Sequence, residues 1–279
     1  MKIKNLLISF AVAFSISSAF ATPASLLTFD KMENIKSEMP RNFRDLKSLG
    51  INVIASSQFS ESQLQEVRKR YPDEKITIVD LRGESHGFIN GNPVTWHTVF
   101  EKGNQDKTLS EISSDESDRL NLAAKDQQII VNKILKEDRA NGWYKEISPA
   151  VIDVNQAISE KDLAEKNGFE YQRFPIRDLD VPNETEFTRM VNFIKTLPQD
   201  QKLYVHCAAG KGRTGTFLIL LDIIKNGKTT ELKEIFERQN KLGAARLDKI
   251  STEESWSKEI ARNRLKIIEN FYKTETAKL

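Results

Sequence analysis

The sequence predicts an α/β domain with a long helical C-terminal half. Ile76–Leu81 and Leu203–Val205 are short apolar runs of the kind that form buried strands. Beyond Thr214, an apolar helix start is followed by two further segments that are predicted to be helical. Short strands separated by helices are typical of α/β proteins, so the sequence predicts that class.

Turn and capping residues define the individual elements. Pro72 and Pro198 end two predicted helices, and Gly168 suits the C-terminal cap of a third. The segment Gly83–Pro93 is rich in turn residues and is predicted to be a loop or a hairpin. Further strands are predicted at 51–54 and 170–175, and helices at 61–71, 159–167, 184–197, 214–226, 229–240 and 251–273.

A long amphipathic helix is predicted from Ser114 to about Ala140. Acidic residues follow Ser114, where they suit the positive end of a helix dipole. The apolar face of this helix would consist of Ile129, Ile130, Ile134 and Leu135.

The first 21 residues are predicted to be a secretory signal peptide. Lys2 and Lys4 precede an apolar stretch, and Ala19-Phe20-Ala21 fits a cleavage site, so the mature domain is expected to span residues 22–279. A membrane anchor is the alternative, but the apolar stretch is short for a span. Export to a Gram-negative periplasm or beyond is therefore expected, with no membrane contact after cleavage.

Composition and motif spacing narrow the range of partners. Cleavage would remove two of the 42 basic residues and leave 40 against 40 acidic ones, so the mature chain is formally neutral. A local basic pocket, rather than overall charge, must then attract an anionic ligand, and no nucleic-acid partner is expected.

Metal and nucleotide motifs are missing from the sequence. His86 and His97 are not at metal-ligand spacing, and Gly210-Lys211-Gly212 lacks the Walker-loop spacing. No metal or organic cofactor is expected.

The only cysteine of the chain lies in a loop that suits a phosphate ligand. Cys207 and Arg213 have the spacing Cys-x5-Arg, between the strand-like Leu203–Val205 and an apolar helix that starts near Thr214. Backbone amides in such a turn bind anions and stabilise a thiolate, and an arginine binds two phosphate oxygens. The loop residues expected to contact phosphate are Ala208, Ala209, Gly210, Lys211 and Gly212. The pattern resembles the signature of the cysteine-dependent phosphatases.

A structural role for Cys207 is the alternative, because a lone cysteine is usually a small buried apolar residue. However, an unpaired thiol is a hazard in an exported protein unless it has a chemical role. The expected compartment therefore favours a nucleophile. Oxidation of this thiol would then inactivate the protein.

A cysteine phosphatase also needs a carboxyl group that protonates the leaving oxygen and later activates water. Asp178 is the preferred candidate, and Asp180 in the same loop is the alternative. Thr214 is predicted to donate a hydrogen bond to the Cys207 sulfur. His206 points away from its neighbour in an extended segment, so it is predicted to brace the loop.

Three segments together resemble the protein-tyrosine-phosphatase-like inositol phosphatases, also called cysteine phytases. His206–Thr214 matches their H-C-x-x-G-x-G-R-T loop, Asp80–Gly87 matches D-L-R-x-E-S-H-G, and Pro40–Arg44 matches P-x-x-F-R. The loop is shared with tyrosine and dual-specificity phosphatases, whereas the Asp80–Gly87 segment narrows the resemblance. The resemblance runs from about residue 40 to the end, with a weak signal between about 100 and 165.

The resemblance implies a protein-tyrosine-phosphatase-like fold, with a central mixed sheet flanked by helices, and a catalytic domain over residues 22–279. It implies hydrolysis of inositol polyphosphates through a phosphocysteine intermediate, without a cofactor. The implied catalytic residues are Cys207, Arg213, Asp178, Thr214 and His206. The implied substrate-binding residues outside the loop are Arg44, Arg177 and His86, with Lys241 and Arg246 as further candidates.

The sequence departs from the family pattern at Leu179, where the usual D-H-x-x-P segment has a histidine thought to contact phosphate. Lys211 and the pair Thr214-Gly215 are more typical of phosphoinositide and dual-specificity phosphatases. A secreted phosphatase for phosphotyrosine proteins or phosphoinositides is therefore the alternative, and a non-catalytic phosphate-binding module is a second one. The scattered basic residues near the loop, without an obvious aromatic gate, favour the inositol phosphate.

Overall fold

The computed structural model describes residues 25–30, 38–138, 140–198, 200–250, 252 and 256–277, which form two β-sheets with helices around them. The strands are β1 (Leu26–Phe29), β2 (Arg44–Asp45), β3 (Val53–Ser56), β4 (Ile76–Arg82), β5 (His86–Ile89), β6 (Asn92–His97), β7 (Gln128–Asp138), β8 (Trp143–Asp153), β9 (Ala157–Ile158), β10 (Glu170–Ile176) and β11 (Lys202–His206). The α-helices are α1 (Glu61–Arg70), α2 (Leu109–Asp126), α3 (Glu160–Lys166), α4 (Glu184–Thr196), α5 (Gly212–Asn226), α6 (Leu232–Lys241) and α7 (Trp256–Thr276).

The central sheet has the strand order β10-β4-β11-β3-β2. Its first four strands are parallel and β2 is antiparallel at the edge, so the predicted mixed sheet is confirmed. Parallel strands bring their C-terminal ends to one edge, which is where ligands bind in open α/β sheets. Since β4 ends at Arg82 and β11 ends at His206, the two motifs of the sequence meet at that edge.

Helices cover both faces of the central sheet. Leu203 and Val205 of β11 pack in one apolar cluster with residues of α4 and α5, whereas Tyr204 packs in a second cluster with residues of α1 and α3. This alternation is the two-residue period of a strand. Helix α5 is buried from Arg213 to Ile223 because it lies between the central sheet and helices α6 and α7. The predicted helical C-terminal half is therefore confirmed.

Apart from the hairpin within 83–93, the second sheet has no counterpart among the predicted elements, and the predicted helix over 114–140 is wrong beyond residue 126. Helix α2 ends there because Gln127 adopts a left-handed conformation, with φ 60°. In β7, Val131 is fully buried and Ile130 is 59% exposed, which is the alternation of a strand. The sheet has the order β8-β7-β1-β6-β5-β9.

The other predicted elements are confirmed within a few residues. The segment 83–93 contains the hairpin β5–β6, and Asn90 and Gly91 at its turn both have positive φ, as a type I′ turn requires. Gly168 follows α3 with φ 75°, consistent with the predicted cap. Helix α6 begins three residues later than the predicted start at 229.

Two expectations lie outside the described residues: the signal peptide at 1–21, and the start of the last helix at Ser251. Within the part of the chain that the structure describes, no helix has both the length and the apolar character needed to cross a bilayer.

Candidate active site

The Cys-x5-Arg segment forms a tight loop between β11 and α5. Gly210 in this loop has φ 67°, and a Cβ placed there would lie 2.3 Å from the Ser56 carbonyl oxygen. Only glycine avoids both the strained backbone and the overlap. Residue 210 must therefore be a glycine, because the loop approaches the end of β3 closely.

Neighbouring segments hold the outer side of this loop. Asn42 Nδ2 and Arg44 donate to the Gly210 carbonyl, at 3.0 Å and 2.8 Å. The backbone amide of Gln58 donates to the Ala208 carbonyl at 3.2 Å. Because the N–H of a trans peptide points away from its C=O, the amides that follow these carbonyls point to the opposite side, where a phosphate can be held.

Cys207 follows β11 directly, and only 2% of it is exposed. Thr214 lies in the first turn of α5, and its Oγ1 is buried without a hydrogen-bond partner in the described structure. The predicted hydrogen bond to the Cys207 sulfur is therefore not formed here. Cys207 lies at the start of the loop and Thr214 at its end, directly after Arg213.

Arg213 is fully immobilised at the base of the loop. Its two terminal nitrogens donate to both carboxylate oxygens of Glu84, at 2.6 Å and 3.0 Å, and one also donates to the Ile176 carbonyl. Burial disfavours both charges, but each stabilises the other, so the pKa of Arg213 lies well above its usual value and that of Glu84 well below. The Nε of Arg213 is buried without a described protein partner. This N–H is a donor available to a ligand.

The two candidate acids face in different directions. Asp178 Oδ1 lies 3.1 Å from Arg213, and its side chain is 49% exposed. Asp180 instead pairs with Arg177 at 2.7 Å and accepts the Val181 amide. Because Asp178 is the carboxylate directed at the phosphate-binding arginine, the geometry favours it as the acid.

His206 and His86 belong to a buried network behind the loop. His206 Nε2 lies 2.6 Å from Glu160, and His86 Nε2 lies 3.2 Å from Glu160 and 3.3 Å from Asp80. Burial and nearby Arg82 oppose protonation of His86, but Asp80 raises its pKa to about 10. Burial also opposes ionisation of Glu160, yet His206 lowers its pKa to about 2.

The resemblance implies that His86 binds substrate, but the structure places its side chain away from the loop. It is 1% exposed, and its Nδ1 contacts the Glu84 carbonyl, so the structure places it in the network rather than at a phosphate. His206 lies where the bracing role predicts, with its ring 5.0 Å from that of Phe59.

Three of the predicted basic residues outside the loop, Arg44, Arg177 and Arg246, have protein partners. Arg44 is 7% exposed and donates to the carbonyls of Asn42 and Gly210, so it braces the loop; burial lowers its pKa to about 10. Arg177 pairs with Asp180, and the candidate Arg246 pairs with Asp248. Within the loop, Ala209 and Lys211 are exposed and Gly212 begins α5.

Among the described residues, one buried group has the side chains of a metal site: Asp80, Glu160 and His206. Asp80 already accepts Tyr171 and pairs with Arg173, and Glu160 accepts Gln58. Arg173 compensates the charge of Asp80, and the hydrogen bonds from Tyr171 and Gln58 occupy carboxylate oxygens of Asp80 and Glu160. We therefore assign the group to positioning of the loop.

Sequence reasoning did not assign roles to Glu84, Glu160 or Arg264. Glu84 is part of the D-L-R-x-E-S-H-G motif, which was a usable signal. Glu160 is in the first turn of α3, where an acid suits the helix dipole. Arg264 is one of many charges on α7, so its role depends on a contact that only the folded chain reveals.

Comparison with known proteins agrees with this geometry. The family model of the PTP-like phytases, described as "Inositol hexakisphosphate", matches residues 79–225. A PTP-like myo-inositol phosphatase from Mitsuokella multacida, solved with myo-inositol-(1,3,4,5)-tetrakisphosphate, is 28% identical with a TM-score of 0.79; the match covers 90% of this chain and 45% of that one. A PTP-like phytase from Bdellovibrio bacteriovorus is 28% identical with a TM-score of 0.72, covering 92% and 90% of the two chains.

The effector protein hopD2 of Pseudomonas syringae pv. tomato is 25% identical over 224 residues, which are 77% of this chain and 46% of that protein. This chain thus spans about half the length of hopD2 and of the Mitsuokella protein. The family model covers more than half of the chain and includes both motifs that meet at the sheet edge. The chain therefore belongs to the PTP-like phytase family.

Proposed function

We propose that this protein is a cysteine-dependent phosphomonoesterase that hydrolyses inositol polyphosphates. The observation that carries the proposal is the convergence on one loop of Cys207, an Arg213 immobilised by Glu84, and the Asp178 carboxylate at 3.1 Å from that arginine. These are the nucleophile, the anion binder and the acid that phosphoryl transfer through cysteine requires.

In the first step, the Cys207 thiolate attacks phosphorus and the bond from phosphorus to the inositol oxygen breaks. The loop amides and Arg213 hold the three equatorial oxygens, where negative charge accumulates. Asp178 donates its proton to the leaving oxygen, so that an alcohol leaves instead of an alkoxide. The products are free alcohol, phosphocysteine and the Asp178 carboxylate.

In the second step, water attacks the phosphocysteine. Asp178 accepts a proton from that water, and the sulfur leaves as a thiolate. Inorganic phosphate is released, and both Cys207 and Asp178 return to their starting protonation states. Most of the rate acceleration therefore comes from holding the phosphate against Cys207 and Asp178, which is consistent with the many hydrogen bonds that fix the loop.

The inositol polyphosphate is favoured by the family and by the Mitsuokella relative, whose structure holds an inositol tetrakisphosphate. Within the loop, the exposed Lys211 adds a positive charge on the solvent side of the site. Leu179, which replaces the usual family histidine, is 43% exposed and offers no charge there. We expect this difference to alter affinity or the position of the first phosphate removed.

The test compares phosphate release from inositol hexakisphosphate, a phosphotyrosine peptide and a phosphoinositide, in EDTA with a thiol reductant. We expect turnover of the inositol phosphate well above the other two, and its loss in Cys207→Ser with binding retained. Preference for the peptide or the lipid would replace the proposed substrate. Binding without any turnover by reduced wild-type protein would reduce the protein to a phosphate-binding module.

Export is a separate proposal, supported by the charged and apolar N-terminal sequence. Expression with and without residues 1–21, followed by cell fractionation and N-terminal sequencing, tests it. Mature protein beginning at Thr22 outside the cytoplasm is expected. Retention of an intact N-terminus in the membrane fraction would instead indicate an anchor.

A further inference from the structure

Arg264 connects the last helix to the loop that carries the acid. It lies in α7 and is only 6% exposed. One terminal nitrogen donates to the Leu179 carbonyl and also to the Asp180 carbonyl, at 3.1 Å for the latter. Leu179 and Asp180 are the two residues that directly follow Asp178 in the chain.

The backbone around Asp178 needs such support. Leu179 has φ 63°, a left-handed conformation that is unfavourable for a side chain with a Cβ. Its side chain is 43% exposed, so packing does little to hold it. The turn is closed by the Asp180 amide, which donates to the Arg177 carbonyl at 3.1 Å.

Arg264 also lies next to the phosphate-binding loop. Its NH1 is 3.9 Å from the position of a Cβ on Gly212, the first residue of α5. Its Nε is buried without a described partner. Burial lowers the pKa of Arg264, while the Asp178 and Asp180 carboxylates oppose the shift, so these charges act on one another.

We propose that Arg264 is a positioning residue that holds the Asp178 turn over the phosphate-binding loop. This inference rests on the proposed function, in which Asp178 is the general acid. Its physical basis is that one guanidinium donates to both carbonyls of the acid turn while it lies beside the start of α5, so that it holds the acid near the phosphate-binding loop. Arg264 acts through Asp178 and is not assigned a contact with the reacting atoms.

The test exploits the dependence of acid catalysis on the leaving group. A substrate that leaves as a poor alkoxide needs the proton, whereas an aryl phosphate with an acidic phenol does not. For Arg264→Met, we expect kcat on inositol hexakisphosphate to fall about 10- to 100-fold, with KM nearly unchanged. On the aryl phosphate the loss is expected to be about 3-fold or less, with inhibition by inorganic phosphate unaltered.

A double-variant cycle with Asp178→Asn tests whether Arg264 acts through the acid. Adding Arg264→Met to Asp178→Asn is expected to cost no more than about 2-fold further. Arg262→Met is the matched control, because Arg262 lies on the same helix, is 51% exposed and pairs with Glu259. Thermal unfolding of each variant identifies losses that come from instability, and Arg264→Lys, which keeps the positive charge and one donor nitrogen, is expected to recover part of the activity.

Equal losses on both substrates, weaker inhibition by phosphate, or full additivity with Asp178→Asn would overturn the inference and make Arg264 a phosphate ligand. Failure of the proposed function would give a different result from failure of this inference. In that case wild-type protein itself would not turn over inositol hexakisphosphate, and the dependence on the leaving group would be measured with alkyl and aryl monophosphates instead.

Discussion

The carboxylate of Glu84 holds the guanidinium of Arg213 through two hydrogen bonds, at 2.6 Å and 3.0 Å. Glu84 also accepts a hydrogen bond from Arg82 Nε at 2.9 Å, and all three side chains are buried. One carboxylate therefore orients the phosphate-binding arginine and ties it to the end of β4. Through this contact the D-L-R-x-E-S-H-G motif reaches the phosphate-binding arginine directly.

Replacing Glu84 by glutamine is expected to destabilise the fold and weaken phosphate binding. The amide leaves two buried guanidinium groups without their shared negative charge, and breaking a buried pair costs about 3–5 kcal/mol of unfolding free energy. Urea denaturation measures the loss. The control is Glu259→Gln, in an exposed pair with Arg262, which is expected to cost about 0–1 kcal/mol. Equal effects of the two substitutions would contradict the assignment.

Gly210→Ala is expected to disrupt the phosphate-binding loop. The new Cβ would lie 2.3 Å from the Ser56 carbonyl oxygen, so the loop must move as well as adopt a strained φ. Gly168→Ala is the matched control, because Gly168 has φ 75° but no atom within 4 Å of the added Cβ. It should show the backbone strain alone, about 1–2 kcal/mol.

Phosphate release and thermal unfolding of both alanine variants separate these effects. We expect Gly168→Ala to keep its activity and Gly210→Ala to lose it. An active Gly210→Ala variant would mean that the loop has another conformation in solution.

The buried network predicts a stability that falls at alkaline pH. The pKa of His86 is raised from 6.5 to about 10 in the folded protein, so the folded state retains a proton that the unfolded state releases. This contribution is complete below pH 6.5 and is lost as the pH rises through about 10. The slope is at most about 1.4 kcal/mol per pH unit for one proton.

Urea denaturation between pH 6 and 10 tests this prediction. His86→Gln should be less stable than wild type at pH 6 and should show a flatter decline, because it has no proton to lose. The charged groups that act on the imidazole are Asp80, Glu116, Glu160, Arg82 and Arg173. An unchanged slope in the variant would assign the alkaline loss to another group.

Local chemistry explains why the sequence predicted the site better than the second sheet. Cys207 and Arg213 lie six positions apart in one loop, so their spacing alone predicts that they meet. The isoleucines after Gln127 are different, because a short apolar run suits a helix or a strand. The left-handed conformation of Gln127 and the pairing of β7 with β8 decide between the two, and both depend on the rest of the fold.

Distant contacts account for the parts of the site that the sequence did not predict. Arg264 reaches Leu179 across 85 positions, and no local pattern on α7 distinguishes it from the other charges. His86 was expected at a phosphate because the Asp80–Gly87 segment resembles the family motif. Its burial against Asp80 and Glu160 follows from the packing of α3 against the sheet edge.

The two acids of the 177–182 loop provide the most direct test of the reaction. Asp178 contacts Arg213 at 3.1 Å, whereas the Asp180 carboxylate is occupied by Arg177 and by the Val181 amide. We expect Asp178→Asn to lower kcat on inositol hexakisphosphate by about 100-fold or more, since a positioned acid contributes about 10²–10⁴-fold. Asp180→Asn, the matched control in the same turn, should lose far less.

The pH dependence of kcat/KM distinguishes loss of the acid from general damage to the loop. A general acid must carry its proton, so wild-type activity declines on the alkaline side as that proton is lost. Asp178→Asn should lack this decline, because the amide does not titrate, while Asp180→Asn should retain it. If Asp180→Asn abolished the alkaline decline and Asp178→Asn did not, Asp180 would be the acid, and its pairing with Arg177 would have to break during turnover.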